Sequence, residues 1–382
     1  MKASAWSDVA AIVDEAVGAG YVAPAVALLV GRGSLVLFEH SAGEAGQPGA
    51  RRSCDAQTIF DLASLTKPLV TAALTLELVA RGRLFFDTRV ADILPAFGAG
   101  DDERRRTVSI RHLLRHDSGL PAYQRYFEGF DGTPPKDAAD AAARRRRMLA
   151  LALAEPLERD PRSGSVYSDI GFLVLGTVVE EVAGARIDEL ALKTLFGPLG
   201  VEDASYVDTL AGPSPALLAR SAATGPCPWR RGEVHGVVQD ENAYAMGGIA
   251  PHAGLFATAR SVHRLVTEWT EAWAGRGLVL DRRIVGHAWN RGASALGAAP
   301  STWALGWDTP SPRASSAGSL VGHGAVGHLG YTGTSIWIDP SRHAHVVLLT
   351  NRVAYGRSSD AIRALRPRLH DAVLAVLDRG RR

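Results

Sequence analysis

Apolar runs near both ends of the chain constrain its fold more than any other feature. Ala25 to Val30 and Ser34 to His40 read as a hairpin across Gly31-Arg32-Gly33, and Thr334 to Ile338 and His345 to Thr350 as a second one across Asp339-Pro340. Each hairpin has a helical pattern beside it: Val9, Ile12, Val13, Ala16 and Val17 precede the first, and Ile362 to Leu377 follow the second. From Leu84 to about Ala317 helical patterns dominate, broken by Pro- and Gly-bearing loops such as Gly129 to Pro135 and Gly212 to Pro228. The expectation is an α/β (α+β) fold, an antiparallel sheet flanked by helices with a mostly α lobe inserted. Residues 1–83 and 318–382 would form the α/β lobe and 84–317 the mainly helical one, all within a single domain. At 382 residues and 46% hydrophobic, the chain can bury a core of that size.

Within the first lobe, Phe60-Asp61-Leu62-Ala63-Ser64-Leu65-Thr66-Lys67-Pro68 leads into Leu69, Ala72, Ala73, Leu76 and Ala80, which with Leu65 recur at helical spacing through Arg83. Pro68 fits only a first turn, so the spacing predicts a helix that starts close to Ser64. A three-residue offset then puts Ser64 and Lys67 on one face. The positive end of the helix dipole disfavours an ammonium and favours developing negative charge, which makes a neutral Lys67 and an attacking Ser64 oxygen more accessible. Serine acylation needs that pairing of nucleophile and base. With 25 serines and four lysines in the chain, a Ser-x-x-Lys carries weight only when partners stand in the right places.

Such partners follow in order. Tyr167-Ser168-Asp169 precedes an apolar helix expected from Ile170 to Val182, and Gly327-His328-Leu329-Gly330-Tyr331-Thr332-Gly333-Thr334 opens a strand-like run. Two further segments, Leu113-Leu114-Arg115-His116-Asp117-Ser118-Gly119-Leu120-Pro121 and Ala253-Gly254-Leu255-Phe256-Ala257-Thr258-Ala259, complete the series. Together they resemble the serine β-lactamase and penicillin-binding-protein superfamily, closest to the class C β-lactamases and the esterases and D-amino peptidases related to them. The resemblance covers nearly the whole chain. It implies a β-lactamase/DD-peptidase-like fold with the site in a cleft between lobes, Ser64 as nucleophile, Lys67 as base or proton relay, and Tyr167 as second base and proton donor to the leaving group. His328, Leu329 and Gly330 match the strand triplet bordering the site, and the oxyanion hole would be the backbone N–H groups of Ser64 and Tyr331. In the class C enzymes an Asn shortly after the strand that corresponds to the run Val346 to Thr350 helps hold a substrate carboxylate, and Asn351, at the end of that run, sits at a comparable place with Arg352 beside it as a planar bidentate donor; the pair also reads as a solvated loop.

Two departures from the lactamase pattern bear on substrate. His-Leu-Gly replaces the usual Lys-Thr-Gly, exchanging a permanent cation for a group of unperturbed pKa about 6.5 and weakening the anchor for a lactam carboxylate. Asp169 stands where Asn is frequent, so a side chain that could donate and accept becomes acceptor-only, and its charge favours a protonated Lys67. Asp169 also reads as a cap for the helix at Ile170, and Tyr167 and His328 have plain structural readings as a core tyrosine and a strand-edge histidine. Tyr123, Tyr244, His252 and Trp307 are further candidate liners of the cleft.

Other features point to no additional chemistry. His112 and His116 are four apart but lack an acidic residue completing a helical zinc motif, so neither metal nor cofactor is expected. Arg144 to Arg147 wrap around a helix and read as solvated surface; His343 and His345 read as solvent-facing on a strand. A formal charge of +2 argues for neither nucleic acid nor an anionic membrane as partner, and Cys54 and Cys227 are too few for a disulfide framework. The longest nearly unbroken apolar stretch, around Val22 to Val30, is too short to span a bilayer. No basic n-region and apolar core opens the chain, so the expected location is cytoplasmic, or periplasmic or secreted if a leader has been removed. No residue pattern sets an oligomeric state.

The function that follows is a serine hydrolase, working through an acyl-enzyme on Ser64, for a small ester or a D-amino-acid amide or peptide. A β-lactamase, a penicillin-binding D-Ala-D-Ala carboxypeptidase, and a non-catalytic binding or sensor protein are the alternatives.

Overall fold

The computed structural model describes residues 5–17, 22–47, 50, 52–294, 301–358 and 360–380. In chain order its strands are β1 (Ala25–Arg32), β2 (Leu35–Gly43), β3 (Phe60–Asp61), β4 (Ala204–Tyr206), β5 (Gly225–Cys227), β6 (Gly232–Val234), β7 (Leu255–Ala257), β8 (Val326–Leu329), β9 (Ser335–Asp339) and β10 (Ala344–Thr350). Both hairpins anticipated from the sequence join one five-stranded sheet of order β2-β1-β10-β9-β8, antiparallel throughout. The two chain ends meet at its centre, where Val26 lies opposite Thr350 and Val30 opposite Val346.

Strand side chains alternate between faces, and β1 is buried on both. Val26, Leu28 and Val30 pack with Val9, Ile12 and Val13 of the Ser7–Val17 helix and with Leu365, Leu369 and Val373 of the Ala361–Arg379 helix. Ala27 and Leu29 face the other way, into the core shared with Val262, Leu265 and Trp269 of the Ala259–Trp273 helix. Each fully buried Leu here contributes roughly 1.5–3 kcal/mol. That third helix packs against β1 and β10 although it belongs to the 84–317 segment, so the middle of the chain also covers the sheet. The mainly helical middle also carries strands: β7 and β4 join β3 of the first segment in a three-stranded sheet, and β5 pairs with β6.

His345 corrects its expected exposure. It is 1% exposed, and its Nε2 lies 2.7 Å from Nδ1 of His263. Gly31 makes room for the pair, since a Cβ there would come within 2.3 Å of the His345 ring and 2.7 Å of the His263 ring. The arginine run is likewise only half solvated. Arg144 is buried against Asp140 and the Thr133 carbonyl, Arg145 makes two bonds to Glu180, and Arg147 donates to the Gly129 carbonyl at 3.3 Å, so three of the four fasten the Ala138–Ala154 helix to its neighbours. The Ala63–Ala80 segment is long and apolar enough to pass for a membrane span, but 83% of it is buried in the core.

Candidate active site

The expected helix at Ser64 is built in three pieces: a 3-10 turn over Ala63–Leu65, a π-helical turn over Lys67–Ala72, and α-helix only from Ala73 to Ala80. Pro68 has no N–H to continue a regular ladder, and widened turns of this kind recur at functional sites. Ala63, just before Ser64, holds φ +48, a region costly for a residue with a Cβ. Asp61 secures it: one carboxylate oxygen accepts the Ala63 N–H at 2.8 Å and the other the Gln239 N–H at 2.6 Å, and burial pushes this carboxyl up to about 6. The Thr66 hydroxyl donates to the Ala63 carbonyl at 2.7 Å and accepts the Leu255 N–H at 3.2 Å, which binds the turn to β7. Ser64 is therefore presented on a strained and tightly held turn.

Lys67 lies beneath it with no exposed surface. Its Nζ is 3.1 Å from Ser64 Oγ, 2.8 Å from the His252 carbonyl and 2.7 Å from Asp169 Oδ1. An ammonium has three protons, and three acceptors stand around this one. Burial works to lower the Lys67 pKa, but the Asp169 carboxylate, with a smaller contribution from Tyr167, more than offsets it and holds the group above the ordinary lysine value. Lys67 therefore rests as a cation, and the acceptor-only character of Asp169 outweighs the dipole argument for a neutral amine.

The segment Leu113 to Pro121 forms the cradle for the Tyr167 loop. His116, at φ +57, accepts the Ser168 N–H on Nδ1 at 3.0 Å, while its carbonyl accepts the Val166 N–H at 2.8 Å. The Pro121 carbonyl accepts the Ser168 hydroxyl at 2.6 Å. Ser168, not Asp169, caps the Asp169–Ala183 helix, its oxygen accepting the Gly171 N–H at 2.9 Å, so Asp169 is free to face Lys67. Tyr167 packs between His116, Trp303 and His328, and its hydroxyl is enclosed near Lys67 and Ser64. Burial, partly opposed by Lys67, pushes this phenol up to about 12, so it carries its proton.

From the sheet side, β8 brings His328, Leu329 and Gly330 to the same place. The His328 Nδ1 lies 2.9 Å from the Leu329 carbonyl; a carbonyl only accepts, so Nδ1 bears the proton and Nε2 presents a lone pair. Burial first, then the Lys67 charge, push this imidazole down to about 3, well below the value near 6.5 taken from the sequence. Gly330 is required, because a Cβ would meet Thr334 Oγ1 at 2.0 Å and the Leu62 carbonyl at 2.8 Å. Among the described residues, the N–H groups of Ser64 and Tyr331 have no backbone acceptor.

These residues open onto one cleft of about 580 Å³, whose walls include Ser64, Tyr123, Tyr167, Asp169, Trp303 and His328. The pattern of Ser-x-x-Lys, Tyr167 and the glycine-bordered strand accords with a family match that spans residues 9–368, that of Beta-lactamase. The chain belongs to the beta-lactamase family. It is a hydrolase of the serine beta-lactamase fold. A protein of Escherichia coli K12 named "Putative D-alanyl-D-alanine carboxypeptidase" is 29% identical over 364 residues, covering 89% of this chain and 80% of that protein. Two solved structures share the fold: EstCE1, a hydrolase with promiscuous acyltransferase activity, at TM-score 0.73 and 21% identity over 97% of this chain and 99% of that one, and simvastatin synthase of Aspergillus terreus, at 0.72 and 17% over 100% and 99%.

In this beta-lactamase-family hydrolase the sequence placed some residues wrongly. Asn351, expected at the substrate, is 1% exposed, and its side chain accepts the Ala25 N–H at 2.8 Å and donates to the Ala223 carbonyl at 2.8 Å, which ties β1 and β10 to the 221–224 segment and keeps the side chain out of the cleft walls. Arg352 lies outside the cleft walls and packs over the ring of Tyr331, which is a wall residue. Trp307 is buried with Trp269 and Trp289, and Tyr244 lies under Arg230. His252 acts through its backbone carbonyl, while its ring pairs with Asp240 at 3.1 Å and holds that carboxylate at about 2 against the upward push of burial. Of the two histidines weighed for metal, His112 accepts the Ser109 N–H at 3.1 Å and His116 supports Tyr167. The wall residues Gln239, Asp240, Glu241, Trp303, Asp308 and Arg357 carried no sequence signal, since each is isolated in the chain from the motifs it faces.

Proposed function

We propose that this protein is a serine hydrolase that passes through an acyl-enzyme on Ser64 and takes small neutral esters or D-amino-acid amides. The observation that carries this reading is the convergence of Ser64 Oγ, Asp169 Oδ1 and the His252 carbonyl on Lys67 Nζ at the floor of the cleft. A lysine with all three protons engaged has no lone pair. Acylation therefore proceeds from the fraction in which Lys67 has lost one: Ser64 Oγ attacks the substrate carbonyl, its proton passes to the Lys67 amine, and the new oxyanion is met by the N–H groups of Ser64 and Tyr331. On collapse the leaving group takes a proton from Lys67 through the Tyr167 hydroxyl. Water then attacks the acyl carbon and gives a proton to Lys67 along the same path, and Ser64 Oγ takes that proton back as its bond to the acyl carbon breaks and the acid is released.

The charge of the walls supports a substrate without a free carboxylate. Asp169, Asp240, Glu241 and Asp308 all border the cleft, the bordering cation Arg357 is paired with Glu241, and His328 is neutral. A peptide ending in D-Ala-D-Ala is the second reading, favoured by Arg357 as a planar donor that could exchange Glu241 for a substrate carboxylate. Comparing kcat/KM for p-nitrophenyl acetate, a D-amino-acid p-nitroanilide and a D-Ala-D-Ala peptide, with intact-mass detection of the acyl adduct, separates the two. Ester or amide turnover with adduct on Ser64 is expected. Dominance of the peptide would transfer the assignment to the second reading, and labelling by a fluorescent penicillin without turnover of any of the three would make the protein a sensor.

A further inference from the structure

Arg366 is 6% exposed and buried in the helix that ends the chain, yet no carboxylate pairs with it among the described residues. The charge that bears on it is the like charge of Arg352, and its Nε has no acceptor. A guanidinium buried in this way costs stability that a leucine or methionine would not, so packing gives no reason for it. Its bonds give one. Nη2 donates to the Thr334 carbonyl at 2.8 Å and to the Gly330 carbonyl at 3.3 Å.

Gly330 C=O and Tyr331 N–H belong to the same peptide unit. In a trans peptide these two bonds point in opposite directions, so a carbonyl turned toward Arg366 turns the Tyr331 N–H away from it. Gly330 and Tyr331 both border the cleft. The same turn is closed by Gly330 N–H to the Thr334 carbonyl at 2.8 Å and Gly333 N–H to the Gly330 carbonyl at 3.0 Å, so Arg366 touches both acceptors that define it. On its other side the turn is fixed to the residues before Ser64, with the Thr332 hydroxyl on the Asp61 carbonyl at 2.8 Å and the Thr334 hydroxyl on the Leu62 carbonyl at 3.1 Å. The two N–H groups assigned to the oxyanion are thereby held in one hydrogen-bonded frame, to which Arg366 bonds through its cationic side chain.

We propose that Arg366 is a positioning residue for oxyanion stabilisation: bound to the Gly330 and Thr334 carbonyls from behind the turn, it aims the Tyr331 N–H at the acyl oxygen and polarises that peptide with its charge. The inference rests on the acyl-enzyme reading above. The test uses Arg366→Met, which keeps length and loses donors and charge, and Arg366→Lys, which keeps the charge but replaces the fixed Nη2 by a shorter, freely rotating ammonium. With p-nitrophenyl acetate, Arg366→Met is expected to lower kcat/KM roughly 30- to 300-fold, somewhat less than the ~10²–10³ for outright loss of one oxyanion donor because the N–H is kept and only mis-aimed, with KM within about twofold. Affinity for a boronic acid that forms a tetrahedral adduct should fall in parallel, and the infrared stretch of an isotopically labelled acyl carbonyl should move to higher wavenumber as its hydrogen bond weakens. Arg366→Lys should lie between wild type and Arg366→Met on all three. Should Arg366→Met not accumulate as folded protein, Arg366→Lys decides alone. Wild-type kcat/KM in the folded variants, or a lowered rate with an unmoved carbonyl stretch, overturns the proposal. A wild-type protein that forms no acyl adduct would instead overturn the acyl-enzyme reading.

Discussion

Replacing Asp169 by asparagine changes one oxygen for one amide nitrogen at 2.7 Å from the Lys67 ammonium and tests what sets the protonation of the base. At an effective dielectric of about 20, unit charges at that separation attract by about 6 kcal/mol. Asp169 keeps 17% of its side chain exposed to the cleft, and the amide oxygen still offers a dipole, so about half of that attraction, ~3 kcal/mol, is lost and the Lys67 pKa falls. Because kcat/KM rises with the neutral-lysine fraction, its ascending limb should move to lower pH by the same amount, and acylation at pH 7 should become faster. Stability moves the opposite way. In the wild type the raised Lys67 pKa contributes stability that is fully present below the unfolded value of about 10.4 and is lost as pH rises through the folded value. In Asp169→Asn burial is opposed only by the smaller contribution of Tyr167, so the cation loses its main support, and the variant should be destabilised at neutral pH and recover as pH approaches about 10. A pH–rate profile with p-nitrophenyl acetate, run beside urea unfolding at pH 7 and 10, measures both. An ascending limb that stays in place or moves upward would refute Lys67 as the base.

Ser64→Ala should abolish turnover and the acyl adduct in intact-mass spectra while leaving the thermal midpoint within a few degrees of wild type; a tenth of the activity remaining would sink the nucleophile assignment. Lys67→Ala and Tyr167→Phe should each lower kcat by roughly 10²–10⁴, and the double variant should be little worse than either single one, since both lie on one proton path; multiplying losses would separate them. Asn351→Ala leaves the Ala25 N–H and the Ala223 carbonyl buried without partners and should lower unfolding free energy by about 2–4 kcal/mol, with KM for carboxylate-bearing and neutral substrates changed equally or not at all. A selective rise in KM for the former would return Asn351 to the substrate site.

What the sequence made legible was whatever repeats at a local spacing. β1 and β10 show as apolar runs because both their faces are buried, and Ser64 and Lys67 show because a three-residue offset on a turn brings them together. Tyr167 and His328 were found through the order of motifs, and both come to the cleft. What stayed hidden depends on contacts between distant segments. Asn351 looked like a ligand at a strand end, but its amide is consumed by Ala25 and Ala223, 326 and 128 residues away in the chain. Asp61 reads as one more polar residue before the motif, and only the fold reveals that it clamps both Ala63 and Gln239. The helix period at Leu65 to Ala80 was correct in type, yet the 3-10 and π turns at its start follow from Pro68 and from the ties to β7, which no periodicity encodes.

Burial acts on the three titratable neighbours of Ser64 with different results. It holds Tyr167 and His328 in their neutral forms, with values near 12 and 3, while Asp169 keeps Lys67 charged. None of the three changes protonation between pH 5 and 8, so the floor of the cleft enters every turnover with the same proton inventory, one ion pair and two neutral rings. The cation is poorly suited to take the Ser64 proton, so under the proposed acyl-enzyme mechanism acylation draws on a minor neutral fraction of Lys67. Carbonyls that need little assistance from a base gain most from such an arrangement. An ester, whose leaving group departs without full prior protonation, fits it better than an unactivated amide, and the same cation afterwards stands ready to protonate whatever leaves.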